Sequence, residues 1–169
     1  MHNFCENFLV ALGSNLEFEG GEPSFLLEQA LVALENKGLS IRARSRFFQT
    51  PAFPAGSGPD FVNAVATLEA DLESGQVLER LHAVESQMGR ERAQRWGART
   101  LDLDLLAAGQ KKAAPSELIL PHPRLSERAF VLVPLMDIAP DWVHPLLKLS
   151  VREMHDALPQ ELRDEIIAL

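Results

Sequence analysis

The sequence predicts an α+β domain in which two helices pack on an antiparallel sheet, and three observations predict it. Residues 8–12, 40–48, 61–70 and 101–106 are short apolar runs or alternate apolar and polar side chains, the period of a strand. Residues 23–36 and 74–88 instead repeat apolar side chains at helical spacing. Read in order, these segments run strand, helix, strand, strand, helix, strand, the ferredoxin-like βαββαβ arrangement with both helices on one face of the sheet and the other face open to a ligand.

The first strand, FLVAL at 8–12, is closed by Gly13, Ser14 and Asn15, which read as a turn. This GSN could hold an anion but lacks the pattern of a phosphate-cradling loop. The first helix has Pro23 near its start, Leu27, Ala30, Leu31 and Leu34 on one face and Gly38 just past its end. In 40–48, Arg42, Arg44 and Arg46 share a face that reads as solvated. The partner strand, 61–70, buries Val62, Ala64, Ala66 and Leu68 together on one face and presents Phe61, Asn63, Val65, Thr67 and Glu69 on the other. Phe61 and Asn63 could stack on and hydrogen-bond a flat heterocycle, or simply cover the sheet end. Between these strands, 50–60 is too long and too rich in Pro and Gly for a tight hairpin, as binding lids often are.

The second helix takes Ser74 as N-cap and Gly89 as its stop, with His82 and Glu85 flanking the apolar stripe, either as ligand contacts or as a solvated flank. Beyond residue 109, Pro121 and Pro123 hold His122 extended beside Arg124 and Arg128, where it is either a structural donor or a phosphate donor. The apolar segment 128–138 must pack on the core, with Pro134 expected at the start of a short helix and Phe130 as core or a second aromatic wall. Ser150 and Glu153 form a capping box for a helix to about 158, and 161–169 reads as a final helical turn or two. These are extra C-terminal elements on a single domain spanning 1–169.

The chemistry concentrates at 89–106. Arg90, Arg92, Arg95 and Arg99 face only Glu91, in a chain whose net charge is −8. The following strand puts Leu101, Leu103 and Leu105 on one face and Asp102 and Asp104 on the other, about 6–7 Å apart. Two like charges on one face repel and call for arginines or metal ions as compensation. A cationic loop leading into a dicarboxylate suits a magnesium-bound polyphosphate, although such a pattern is also found on solvated strand faces.

Composition narrows the classes. With 46% hydrophobic residues the chain can build a sizeable core, its one cysteine, Cys5, allows no internal disulfide, and no apolar run is long enough for a membrane span. The expectation is a cytoplasmic protein with no membrane partner. The acidic balance argues against nucleic acid.

Ala11 to Leu16 (ALGSNL), Thr50-Pro51, Asp60 to Asn63 (DFVN), Gly89-Arg90, Trp96 to Asp104 (WGARTLDLD) and Pro121-His122-Pro123 occur in this order, and in them the chain resembles the 6-hydroxymethyl-7,8-dihydropterin pyrophosphokinases from about residue 8 to 145. The resemblance implies a ferredoxin-like fold and transfer of pyrophosphate from ATP to the pterin hydroxymethyl group, giving AMP, in folate biosynthesis. It implies two Mg²⁺ ions on Asp102 and Asp104, and Arg90, Arg92 and Arg99 acting in catalysis. The pterin would meet Thr50, Pro51, Phe53, Phe61, Asn63, Trp96 and Phe130. ATP would meet His82, Glu85, Arg92, Trp96, Arg99, Leu105, His122 and Arg128. The expected partners are these two small molecules, acting on a monomer. Phe61 stands where members often have tyrosine, Ala98 where proline is usual and His82 where glutamine is common, while Glu117, Ile119 and Pro123 depart from nucleotide contacts of some relatives. Two other readings remain open from the residues alone: a metal-dependent phosphotransferase or nucleotidyltransferase with another acceptor, and a non-catalytic ferredoxin-like ligand-binding domain.

Overall fold

The computed structural model describes residues 6–16, 20–52, 54–89, 101–113 and 118–169. Its elements are β1 (Glu6–Ser14), α1 (Pro23–Asn36), β2 (Ser40–Arg44), β3 (Phe48–Thr50), β4 (Phe61–Ala70), α2 (Ser74–Gln87), β5 (Asp102–Ala108), α3 (Ala129–Ile138), α4 (Val151–Ala157), α5 (Gln160–Asp164) and β6 (Ile167–Ala168). The sheet is antiparallel in the order β5-β1-β4-β3-β6, with β2 also paired to β4.

The alternation read in the sequence sorts side chains between two cores. Phe8, Val10, Leu12, Ala64, Ala66, Leu68, Leu103 and Leu105 pack under α1 and α2 against Leu27, Leu34, Leu81 and Val84. Burying one such Leu or Phe contributes roughly 1.5–3 kcal/mol. The second face is not open along its length, as the βαββαβ order alone suggested. Leu9, Val65, Leu106 and Ala107 are covered by Leu125, Val131, Leu132, Leu135, Val151 and Met154 from the C-terminal elements. The C-terminal helices thus make a third layer, leaving the end that carries Phe61, Asn63, Asp102 and Asp104 partly exposed.

Four local expectations are corrected. The strand expected at 40–48 ends at Arg44, and β3 is separate; a register shift between Ile41 and Ala43 breaks the simple alternation. Arg42, Arg44 and Arg46 are exposed, and each meets a carboxylate, on Glu69, Glu28 and Asp137. The N-cap of α2 is Glu73, which forms a reciprocal capping box with Gln76, rather than Ser74. Pro134 lies inside α3, not at its start. Burial of Val131, Leu132 and Leu135 against the sheet outweighs the roughly 3 kcal/mol that an interior proline costs. Finally, 161–169 is not helical throughout, because α5 stops at Asp164 and Ile167 and Ala168 pair with β3.

Candidate active site

Strand register assembles the site. On β5, Asp102 lies opposite Gly13 and Asp104 opposite Ala11 of β1; Gly13 in turn lies opposite Asn63 of β4. Paired residues share a sheet face, so Asp102, Gly13 and Asn63 form a row across three strands, spanning about 10 Å at the usual strand spacing. Phe48 and Thr50 of β3 extend this face beyond Asn63 and Phe61. The aromatic ring, the carboxamide and the two aspartates are therefore on one surface.

Gly13 makes that surface possible. A Cβ at this position would lie 2.5 Å from Asn63 Oδ1 and 3.8 Å from Phe61 Cδ1. The Asn63 carboxamide leans over the glycine, and its Nδ2 donates to Thr50 Oγ1 at 2.6 Å. Asn15, buried just beyond β1, donates from Nδ2 to the Pro59 carbonyl at 3.2 Å and so ties the Pro- and Gly-rich connection to the sheet. Neither role was read from the sequence, where GSN passed as a turn. The signal available was the position of the small residue at a strand end next to a strand carrying Asn and Phe.

Asp102 and Asp104 keep the shared face expected of them. Arg128 reaches Asp104 with Nη1 to Oδ2 at 4.0 Å, and its guanidinium lies 5.4 Å over the Phe130 ring. Arg128 thereby links the dicarboxylate to the Phe130 ring. Among the described residues, no group of three or more His, Cys, Asp or Glu side chains comes together as a metal cage. Two carboxylates fit Mg²⁺, which fills its remaining positions with water and substrate phosphates.

The outer edge of β5 is closed by two residues assigned to the nucleotide. Glu85 lies on the buried stripe of α2, not its flank, with 1% of its surface exposed. It accepts the Leu103 N–H at 3.1 Å, the amide between the two aspartates, and so fixes their strand. His122, which follows the cis Leu120–Pro121 peptide, donates its backbone N–H to the Leu106 carbonyl at 2.8 Å. Its Nδ1 accepts from the Arg124 N–H at 3.2 Å, which leaves the ring proton on Nε2. Burial, then Arg128 and Arg124, pushes the His122 pKa down, so the ring is a neutral Nε2–H donor.

Leu105 is corrected in one respect. Its side chain is in the core under α1 and α2, so it can offer a ligand only backbone groups. His82 is half-buried on α2, three positions before Glu85. Thr50 is buried at the end of β3 and Pro51 exposed beside it. Arg90, Arg92, Trp96, Arg99 and Phe53 lie outside the described residues, as do Arg95, Ala98 and Glu117.

Residues 9–140 match the model of the 7,8-dihydro-6-hydroxymethylpterin-pyrophosphokinase family. The chain belongs to this pyrophosphokinase family. It is 38% identical over 146 residues to a 2-amino-4-hydroxy-6-hydroxymethyldihydropteridine pyrophosphokinase of Synechocystis, covering 83% of this chain and 70% of that protein. Against the pyrophosphokinase of the same name from Pseudomonas aeruginosa, identity is 42% over 134 residues, covering 78% and 80% of the two chains. The fold is similar to the crystal structure of wild-type Plasmodium falciparum HPPK-DHPS, with a TM-score of 0.69 at 14% identity, over 92% of this chain and 45% of that one. The chain thus spans less than half of that solved protein. The antiparallel sheet with helices packed on it is the fold shared with that solved protein, and the region matched by the family model ends within the connection that follows α3. No helix among the described residues is long and apolar enough to cross a membrane.

Proposed function

We infer that this surface transfers a pyrophosphoryl group, as one unit, from ATP to the hydroxymethyl oxygen of 6-hydroxymethyl-7,8-dihydropterin, releasing AMP and supplying folate synthesis. The observation that carries this is the row Asp102, Gly13, Asn63, which puts a dicarboxylate and an aromatic-carboxamide slot on one face of one sheet, in a chain of the pyrophosphokinase family.

The two ends divide the work. Phe61 stacks on the pterin ring, with Phe130 as the opposite wall, and Asn63, with Thr50, Pro51 and Phe53 beside it, meets the polar ring edge. Offset stacking contributes about 0.5–1.5 kcal/mol per pair beyond burial, while groups that must be hydrogen-bonded reject rings lacking the matching edge. At the other end Asp102 and Asp104 hold magnesium, which we take to be two ions. When bound, magnesium neutralises phosphate oxygens and lowers the cost of charge at the reacting phosphorus. His122 donates from Nε2 to phosphate, and Arg128 adds fixed positive charge, with Arg90, Arg92 and Arg99 as the cations that grip the transferred group. His82, Glu85, Trp96 and Leu105 complete the nucleotide side, Glu85 by holding the strand rather than by touching ATP. The hydroxymethyl oxygen attacks the β-phosphorus and gives up its proton to water, the bond from that phosphorus to the α-β bridging oxygen breaks, and AMP leaves with the bridging oxygen.

We further take the chain to act as one domain and one monomer in the cytoplasm. Asp102→Asn and Asp104→Asn test the metal end. Each should retain the fold by circular dichroism and bind the pterin, but lose Mg²⁺-dependent turnover by about a hundredfold or more, the scale of a lost electrostatic contact in the transition state. Near-normal turnover in either would remove the assignment.

A further inference from the structure

The segment that carries Thr50 is held from its outer side by β6, beyond the region that matches the family, and by Asp137 of α3, within it. β3 is three residues long, and its inner edge pairs with β4 as Phe48↔Asn63, Gln49↔Val62 and Thr50↔Phe61. Its outer edge pairs with β6 as Phe48↔Ala168 and Gln49↔Ile167, and the Leu169 N–H donates to the Phe47 carbonyl at 3.0 Å. A second tether lies just before β3. Asp137, in the last turn of α3, accepts from the Arg46 backbone N–H at 2.9 Å and from Nε and Nη2 of the same arginine at 3.1 and 3.0 Å. Two elements from the C-terminal part of the chain therefore fix the path of 46–50.

The strand β6 adds almost nothing to the core. Ile167 and Leu169 are 58% and 65% exposed. What β6 supplies is backbone pairing to a strand too short to hold its own register, since a three-residue edge strand with one partner frays readily. Phe48 and Gln49, the residues it pairs with, immediately precede Thr50, whose hydroxyl receives the Asn63 carboxamide.

We propose that β6 is a positioning element for the pterin end of the site: its pairing with β3 sets the Thr50–Asn63 hydrogen bond and thereby tunes pterin affinity without touching either substrate. This rests on the assignment of the pterin to Thr50, Phe61 and Asn63. A fluctuating β3 would let the Asn63 carboxamide move from its place over Gly13, and the ordering of that group would then have to occur on pterin binding. The dicarboxylate end on β5, three strands from β3, would be unaffected.

The test uses variants of the whole 169-residue chain, with calorimetric affinities for 6-hydroxymethyl-7,8-dihydropterin and for MgATP measured separately. Leu169→Pro removes the donor to Phe47, and Ile167→Pro with Leu169→Pro disrupts the pairing as a whole. The double variant is expected to weaken pterin affinity about fivefold or more, the equivalent of one net hydrogen bond, with MgATP affinity unchanged and Leu169→Pro intermediate. Ile167→Ser with Leu169→Ser, which keeps the backbone donors, is expected to bind both ligands as the parent does. Unchanged pterin affinity in the proline variants, an equal loss for both ligands, loss of the fold in Leu169→Pro, or a serine variant as weak as the proline one would overturn the proposal. Failure of the parent protein to bind the pterin, or an unchanged affinity in Phe61→Ala, would instead overturn the site assignment beneath it.

Discussion

Gly13 and Asn63 show how much of the site rests on single atoms. A methyl group at residue 13 would collide with Asn63 Oδ1, and because that oxygen ends a flexible side chain, the carboxamide would swing away rather than the strands part. Gly13→Ala should therefore keep the fold, break the Asn63–Thr50 hydrogen bond and weaken pterin binding about tenfold, as read by calorimetry. Equal affinity in the variant would show that the carboxamide is not part of the slot. Phe61→Ala is expected to weaken the pterin in the same assay and spare MgATP. At this scale the sequence was half legible. Alternation alone put Asp102 and Asp104 on one face of their strand, and Phe61 and Asn63 together on one face of another. The glycine's role was hidden because it depends on which residue lies opposite, and pairing register is not written in local pattern.

At the scale of elements, strand β5 needs its partners most. Among the described residues it is the sheet's terminal strand, and on its outer edge Glu85 from α2 satisfies the Leu103 amide. Glu85→Ala should leave that N–H orphaned and cost about 1–3 kcal/mol of stability in urea denaturation. An unchanged midpoint would contradict the anchoring role. Glutamate three positions after His82 reads in the sequence as a polar flank, because helical spacing cannot say that a carboxylate will be buried against a strand amide. The helix 23–36 was legible from its proline, its apolar face and its closing Gly38, which adopts φ 83°. By contrast, Pro134 inside α3 and the strand at Ile167 are tertiary effects, the first imposed by core burial and the second by an open sheet edge.

Across the whole molecule, the three layers make stability sensitive to acid through buried neutral histidines. His144 is nearly inaccessible, and its Nδ1 accepts from the Leu146 and Leu147 N–H groups at 3.2 and 3.1 Å. Burial lowers its pKa below the usual histidine value of about 6.5. The unfolded chain then binds a proton more readily than the folded one, so this contribution is complete above about pH 6.5 and is lost as pH falls through the lower folded-state value. His122 acts in the same direction. The thermal midpoint should fall as pH drops from 7 toward 5, and His144→Asn, which keeps an acceptor near Nδ1, should flatten part of that slope. A pH-independent midpoint would contradict the buried neutral state. The three-layer architecture was only partly legible. The βαββαβ core and its helices follow from periodicity, but nothing in the pattern of 128–158 said that it would return across the second face and leave one end exposed for ligands.

That exposed end, with its aspartates and its aromatic slot on one sheet face, makes a claim about which bond in ATP is broken. The most direct measurement mixes the protein with Mg²⁺, ATP and 6-hydroxymethyl-7,8-dihydropterin and identifies the nucleotide released. Transfer of the whole pyrophosphoryl group predicts AMP in equal amount with the pterin diphosphate. ADP, or free pyrophosphate with a nucleotidylated acceptor, would contradict it.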